Sequence, residues 1–311
     1  MKLRLLLRVF CILTFTLLGS RVADAMELNL NLHTGEKYNV HTVSTVEAAV
    51  TVEIVNISTA FGLDMNLSMD VVDVDKDKNT TLYYGFKSIN AVVAAPGKEL
   101  KFDPGQNSVS NSLNSVLGSM LGKGFTVKVD KKGRVLQVQG VAEIVKGLID
   151  SMPGDEKNPF RKLMVESFSD NALNTMLKNS TGYLAEKSIR KGDTWEEIDV
   201  IKSAFPMTIK DTWQLTGEKN GILHIDTRTT IATGSEAADE KSQTFGMPVI
   251  RVNGSGSGSI DVNKYTGLAL KESQVEKIDI EIELPDPKKP EKMKIPVTVT
   301  IKSTSEVTKF Q

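Results

Sequence analysis

The chain contains a single cysteine, Cys11, among its 311 residues. Cys11 lies in an N-terminal segment with the features of a signal peptide, so we expect the exported chain to carry no disulfide. Its stability then depends on packing alone, which a chain of this length can supply. Export without disulfides fits a bacterial envelope better than a eukaryotic secretory route, and we predict a periplasmic or extracellular location.

Long hydrophobic runs are also missing. The longest apolar stretch, residues 9–18, is shorter than the about 20 residues that a membrane-spanning helix needs. Lys2, Arg4 and Arg8 lie before or at its start and an Ala-Asp-Ala cleavage pattern ends at Ala25, an arrangement typical of a signal peptide. We predict cleavage after Ala25. A retained signal anchor and lipid attachment at Cys11 are the alternatives, although no small residue precedes Cys11.

The net charge is low, and residues of one charge sign do not cluster in blocks. Removing residues 1–25 takes away four basic residues and one acidic residue from totals of 38 and 39, which leaves 34 basic and 38 acidic residues and a net charge of −4. The two signs alternate along the chain. This pattern argues against a nucleic-acid partner and against a basic patch for anionic membranes. We expect no transmembrane segment in the mature chain.

The residues that catalysis and metal binding require are sparse. The three histidines, His33, His41 and His224, show no zinc-binding spacing, and no thiol nucleophile remains after cleavage. Residues 254–258 match the G-x-S-x-G pattern of hydrolases, but they lie in a strand pattern with no helix after it. We therefore predict no catalytic residue, no metal, no cofactor and no enzymatic activity; a hydrolase is the disfavoured alternative.

The acidic run at residues 73–79 invites comparison with a calcium loop. Counting from Asp73, Lys78 occupies the sixth position, where such a loop needs glycine, and Tyr84 occupies the twelfth, where it needs an acid. We interpret the run as a hairpin turn, with adventitious calcium as the alternative.

Long stretches alternate between apolar and polar residues. The clearest are residues 46–54, 63–71, 278–284 and 295–301. A period of two over such lengths predicts strands with one buried face, which is typical of antiparallel sheets. Two glycine-rich hairpins, at residues 122–140 and 252–273, organise the pattern. Gly254, Gly256 and Gly258 in the second leave one strand face bare, so that another backbone or a ligand can approach closely.

Helical spacing predominates in the middle of the chain. Apolar residues at 141, 144, 145, 148, 149 and 152 predict one helix, and similar patterns at residues 109–121 and 160–177 predict others. The predicted fold class is α+β, mainly β: a long, strongly curved antiparallel sheet or half-barrel, with a helical insertion on its concave side. We predict a signal peptide (1–25) and a single β-rich unit (26–311). Its two halves, about 27–140 and 184–311, are joined by a helical segment (about 141–183).

Short glycine motifs connect the chain with a known group. Gly35-x-x-Tyr38 and Gly192-x-x-Trp195 open the two halves and suggest a degenerate duplication. The other motifs are Gly133-Arg134-Val135 with Gly140, and Asp261 to Thr266-Gly267 after a Gly-x-Gly strand. On these motifs the chain resembles a family of exported bacterial proteins known only as a domain of unknown function. The long one-sided strands also look like the lipoprotein-carrier fold of the bacterial envelope, an open half-barrel with a lipid-accepting concave face.

Five residues are candidates for ligand binding. Met65, Leu67 and Met69 lie on one face of a predicted strand, where flexible methionines can adapt to an apolar ligand. Tyr38 and Trp195 begin the two halves and can stack on a ligand. Core packing is the alternative for all five. The favoured function is a non-catalytic envelope protein that binds an apolar or lipid-like small molecule; the alternative is a structural or interaction module of the envelope with a filled core.

Overall fold

The computed structural model describes residues 25–52, 55–102, 117–151, 182–201, 207–234, 243–244, 247–285 and 292–310. Strands dominate this part of the chain, and a single three-turn helix accompanies them. The elements are β1 (Lys37–Val52), β2 (Val55–Val74), β3 (Thr80–Ala95), β4 (Lys98–Phe102), β5 (Gly124–Val129), β6 (Val135–Gln139), α1 (Val141–Ser151), β7 (Thr194–Ile201), β8 (Met207–Lys219), β9 (Ile222–Thr233), β10 (Gln243–Thr244), β11 (Met247–Asn263), β12 (Ala269–Pro285) and β13 (Lys292–Lys309).

The thirteen strands form one antiparallel sheet. Its order is β6-β5-β3-β2-β1-β13-β12-β11-β9-β8-β7, with β4 beside β3 and β10 beside β11. Between the described strands the path is open, because β6 and β7 lie at its two ends and do not pair with each other. The predicted antiparallel, mainly β class is confirmed. The predicted helix at residues 141–152 is confirmed as α1, whereas residues 109–116 and 160–177 lie outside the described part of the chain.

The sheet curls so that its two wings share one core. Strands β3 and β5 lie near one end of the strand order and β8 and β9 near the other, yet their side chains pack into a single cluster. Residues that pair directly across strands point to the same face, so this cluster defines the inner face of the sheet. Its members from the two wings include Met69, Val71, Leu82, Val127 and Val129 on one side and Trp213, Leu215, Leu223, Ile225 and Ile260 on the other.

Two short segments close one end of the curled sheet. Residues 26–34 run between the two glycine-rich hairpins: the main-chain N–H of Leu30 donates to the carbonyl of Lys131 (2.7 Å), and that of Asn31 donates to the carbonyl of Thr266 (2.8 Å). Residues 182–190 lie beside them and bury Leu184 and Ile189 in the same cluster. We call this end the closed end, and the end where β1 turns into β2 the open end.

A buried lysine ties the closed end together. Lys132, in the β5–β6 turn, is 7% exposed, and its ammonium donates to the carbonyls of Leu28 (3.1 Å) and Ala185 (2.7 Å). Burial lowers the pKa of Lys132. Its two acceptors belong to the two closing segments, so one side chain joins three separate parts of the chain.

Helix α1 covers the wing made by β2 and β3. Its residue Ile144 is buried in a second cluster with Leu67, Phe86, Ile89 and Ala91 on the inner face. The helix follows from its apolar stripe, which packs while its charged positions face water. This confirms a helical element on the inner side of the sheet. None of the helices in the described residues is long and apolar enough to cross a membrane.

The two halves of the chain repeat one arrangement. In the sheet, β6-β5-β3-β2-β1 and β12-β11-β9-β8-β7 are two meanders of the same order, with β13 between them. The Gly-x-x-aromatic motifs that open the halves make equivalent bonds. In the first half, Gly35 N donates to Val71 O, Val71 N donates to Glu36 O, and His33 N donates to the Glu36 carboxylate. In the second half, Gly192 N donates to Leu215 O, Leu215 N donates to Asp193 O, and Arg190 N donates to the Asp193 carboxylate.

Candidate ligand-binding face

The inner face of the second half carries a polar patch between the closed end and the open end. Thr227 on β9 pairs with Gly258 on β11, which pairs with Gln274 on β12. One step towards the open end, Thr229 and Glu276 flank Gly256 in the same way. We define the polar belt as Asp211, Thr227, Thr229, Glu272, Gln274 and Glu276, which line a cavity of about 150 Å³.

The glycines of β11 make room for this belt. A Cβ atom on Gly258 would lie 2.2 Å from the carbonyl oxygen of Ser273 and 2.9 Å from the hydroxyl of Thr227. A Cβ atom on Gly256 would lie 2.7 Å from Cγ of Glu276. Neither position accepts a side chain without movement of its neighbours, which agrees with the close approach predicted from the glycine spacing.

Hydrogen bonds connect part of the belt. The hydroxyl of Thr229 donates to Asp211 (2.5 Å), and the amide of Gln274 donates to Glu276 (2.6 Å) and to Thr229 (3.1 Å). Within the described residues Glu272 accepts no hydrogen bond and forms no ion pair. Thr227 is 8% exposed, and its hydroxyl has no partner either.

The surroundings of the belt make ionisation of its carboxyl groups less favourable than in water. Burial raises the pKa of Asp211, Glu272 and Glu276. The negative charge of Asp211 adds to the effect at both glutamates, and that of Asp199 adds to it at Asp211. Among the described residues no three His, Cys, Asp or Glu side chains lie close enough together to hold a metal ion. The belt is therefore an acceptor-rich surface whose negative charge lacks a counter-charge in the described chain.

An apolar surface continues from the belt to the open end. Glu276 pairs with Ile301, and Ile278 follows two residues later on the same face. We define the apolar wall as the half-buried inner residues of three adjacent strands beyond this point. They are Val46, Ala48 and Val50 on β1, Val297, Val299 and Ile301 on β13, and Ile278, Ile280 and Ile282 on β12.

The five residues predicted as ligand contacts occupy packed positions. Tyr38 and Met69 pair with each other and are 4% and 2% exposed in the main core. Leu67 belongs to the cluster under α1, and Met65 packs against it. Trp195 stacks on Trp213 with 6.4 Å between ring centroids, and its ring nitrogen donates to the carbonyl of Gly182. The role of these five residues in ligand binding stays a prediction. Trp195 and Met65 pack in different clusters of the structure.

The polar belt was not predicted from the sequence. In β12 the isoleucines at 278, 280 and 282 define the inner face. Because side chains alternate between the two faces, Glu276, Gln274 and Glu272 lie on the same face as these isoleucines. Val275, the apolar residue in that stretch, is 45% exposed on the outer face. Extending the isoleucine register past its apolar part would have identified the belt residues of β12.

Two other polar features are internally satisfied. Asp75 accepts bonds from Asp77 N, Asn79 N and the Asn79 amide and pairs with Lys128 at 2.9 Å. Lys128 is the main cause of the lowered pKa of Asp75. Residues 75–79 thus form a turn that is stabilised by the side chains of Asp75, Asn79 and Lys128.

A larger groove of about 340 Å³ lies on the outer face. Polar side chains at this groove pair across strands: His41 with Asp64 (2.9 Å), His224 with Asp261 (2.6 Å) and Lys271 with Glu306 (3.2 Å). Since these groups already have partners on the protein, the groove offers less to a ligand than the inner face.

The fold and this inner face define an open, curved β protein with an amphipathic interior. The family model described as a family of unknown function, DUF6263, matches residues 77–269, more than half of the chain. The chain belongs to this family, as the glycine motifs predicted. The match spans β3 to the start of β12 and includes Asp211, Thr227 and Thr229.

Similar solved structures are distant. Lipovitellin, solved for its lipid–protein interactions, is 8% identical with a TM-score of 0.49; the match covers 90% of this chain, which spans only 26% of the lipovitellin chain. The translocator domain of the autotransporter NalP from Neisseria meningitidis is 5% identical with a TM-score of 0.22, covering 89% and 90% of the two chains. A DUF1329 family protein from Desulfovibrio piger is 7% identical with a TM-score of 0.14, covering 87% and 84%. None of these similarities indicates a function, and no curated protein matches the chain.

Proposed function

We propose that this protein is a non-catalytic binding protein of the bacterial envelope that holds an apolar or amphipathic small molecule on the inner face of its sheet. The apolar wall is the observation that carries the proposal. Its nine aliphatic residues are half-buried and face the interior of the curl. Among the described residues, α1 packs on the other wing, against the strands around Leu67 and Phe86, and leaves this surface uncovered.

Burial of that wall by a hydrocarbon chain provides a driving force for binding. Each methylene removed from water contributes about 0.8 kcal/mol. A surface three strands wide can cover several methylenes of an extended chain, since strands lie about 4.8 Å apart. Location in the envelope is part of the proposal and is supported by the signal-peptide pattern of residues 1–25. Absence of catalysis is also part of it and is supported by the lack of a nucleophile–base pattern in the sequence.

A structural or interaction module is the second candidate. It is favoured by the wing of β2 and β3, where Leu67, Phe86, Ile89 and Phe102 are buried in one cluster with Ile144 of α1. In this case the apolar wall would contact another protein instead of a small molecule.

Native mass spectrometry of the purified mature protein separates the two candidates. We expect a bound species of lipid-like mass that is released on denaturation and extracts into organic solvent. A protein that carries no small molecule and takes up none from a lipid extract would contradict the binding function and favour the structural module.

A further inference from the structure

We propose that the polar belt binds the protonated amine headgroup of a cationic amphiphile whose hydrocarbon chain lies along the apolar wall. This inference rests on the proposed function and specifies the chemical class of its ligand. The argument has three parts: the uncompensated charge of the belt, a buried hydroxyl without a partner, and the continuity of the belt with the wall.

The belt has three carboxyl groups and, among the described residues, no cation of its own. Asp211, Glu272 and Glu276 face inward, and in the described residues none of them forms an ion pair. Lys210, Lys271 and Lys277 are neighbours of these acids in sequence, and therefore point to the opposite face of the sheet. An ammonium group supplies the missing charge, whereas an anionic headgroup would be repelled by the same carboxylates.

Thr227 provides an independent indication of a ligand. Its hydroxyl faces the cavity from a residue that is 8% exposed, and in the described part of the chain it has no hydrogen-bond partner. Buried polar groups are almost always paired in folded proteins. Gly258, directly opposite, keeps the space beside this hydroxyl open, since a Cβ atom there would stand 2.9 Å from it. An ammonium group has three N–H donors, which this hydroxyl and two carboxylates can accept.

The geometry of the cavity suits a headgroup with a tail. Tyr183 closes it towards the closed end, where its hydroxyl donates to the carbonyl of Gly267 (3.0 Å) and accepts from the N–H of Ala269 (3.1 Å). On the other side Glu276 adjoins Ile278 and Ile301 of the apolar wall. On this side, a chain attached to the amine can leave the belt along an apolar surface that leads to the open end.

Three probes with the same ten-carbon chain test the proposal: decylammonium, 1-decanol and decanoate, each titrated below its micellar concentration by calorimetry at neutral pH. We expect decylammonium to bind about tenfold more tightly than 1-decanol, because hydrogen bonds to charged groups are the stronger kind. Decanoate should bind most weakly.

Variants locate the headgroup. Glu272→Gln and Thr227→Val keep side-chain size, and each should remove most of the preference for decylammonium over 1-decanol. If the melting temperature shows that one of these two variants does not fold, Glu276→Gln replaces it in the test. Asp226→Asn, an exposed acid next to Thr227, is the control and should retain the preference.

The outcomes distinguish the two levels of the proposal. If the three probes bind equally, the headgroup assignment is overturned and the binding of amphiphiles stands. If none binds, both are overturned. If the amine preference persists in all belt variants, the amine binds elsewhere and the belt is not its site.

Discussion

The hydroxyl of Thr227 on β9 lies 2.9 Å from the point where a Cβ atom would stand on Gly258 of β11. The absence of a side chain at Gly258 thus keeps a buried hydroxyl accessible to the cavity. In most sheets a glycine in mid-strand weakens the sheet without compensation. Here Gly256 and Gly258 set the depth of the inner face at the polar belt.

Gly258→Ala is expected to destabilise the protein by about 1–3 kcal/mol, the usual cost of overpacking. The added methyl would collide with the main-chain oxygen of Ser273, which cannot rotate away. Gly62→Ala is the matched control: it lies in mid-strand in β2, where the nearest atom to a Cβ is 4.0 Å away. The measurement is the urea midpoint of both variants, and equal midpoints would show that the strand is not closely packed.

Lys132→Met is expected to lower the free energy of unfolding by about 1–3 kcal/mol for each buried carbonyl that is left without a donor. The carbonyls of Leu28 and Ala185 would lose their shared donor, and the closed end should loosen first. Lys131→Met, at the exposed neighbouring residue, is the control. Hydrogen exchange of residues 26–34 would register the change; full protection in Lys132→Met would mean that packing alone holds the closing segments.

Glu272→Gln should stabilise the protein at neutral pH and have little effect in acid. Burial raises the pKa of Glu272 in the folded chain above its ordinary value of 4.5. The folded state therefore binds the proton more tightly, and stability is lost as pH rises from about 4.5 through the raised pKa. Asp211 and Glu276, which face the same cavity, titrate in the same sense.

Glutamine removes this loss because it has no proton to give up. Melting curves at pH 4 and pH 7.5 test the prediction, with about 2 °C expected for each kcal/mol in a chain of this size. A Glu272→Gln variant that melts below the parent at pH 7.5 would show that the carboxylate is compensated in the folded protein.

Met69→Asp and Ile280→Asp should behave differently. Met69 is 2% exposed in the main core, so a carboxylate there is expected to cost several kcal/mol. Ile280 is half-buried on the apolar wall, where water can reach a new charge. Far-UV circular dichroism should show an unfolded Met69→Asp, and a folded Ile280→Asp that has lost an apolar ligand. If both unfold alike, the wall is part of a filled core.

Much of the fold was predictable because burial on one face imposes a period of two. The isoleucines of β12 and the valines of β13 identified long antiparallel strands, and the stripe through Ile144 identified α1. Strand order was not predictable, since the pairing of β1 with β13 joins residues at opposite ends of the chain, such as Tyr38 and Lys309. No local pattern specifies a contact of that separation.

The candidate site was harder to predict because it departs from the pattern that reveals strands. Glutamates on the inner face break the alternation of apolar and polar residues, so the sequence pattern places Glu272 and Glu276 on the solvent-facing side. Thr227 and Thr229 indicate neither face, because threonine occurs on both. The methionines were predicted as ligand contacts because of their flexibility, yet flexibility serves a packed core equally well, and Met69 lies in one.

The central claim is that an amphipathic molecule occupies the inner face, and a site-specific fluorophore tests it most directly. A chain that begins at Met26 has no cysteine, so Ser303→Cys places one label on the inner face of β13, between Ser44 and Gln274. Thr304→Cys places the control label one residue away, on the exposed outer face. Titration with decylammonium is predicted to shift the emission of an environment-sensitive label at residue 303 to the blue, and to leave the label at residue 304 unchanged. Equal responses at the two residues, or none at either, would contradict the account.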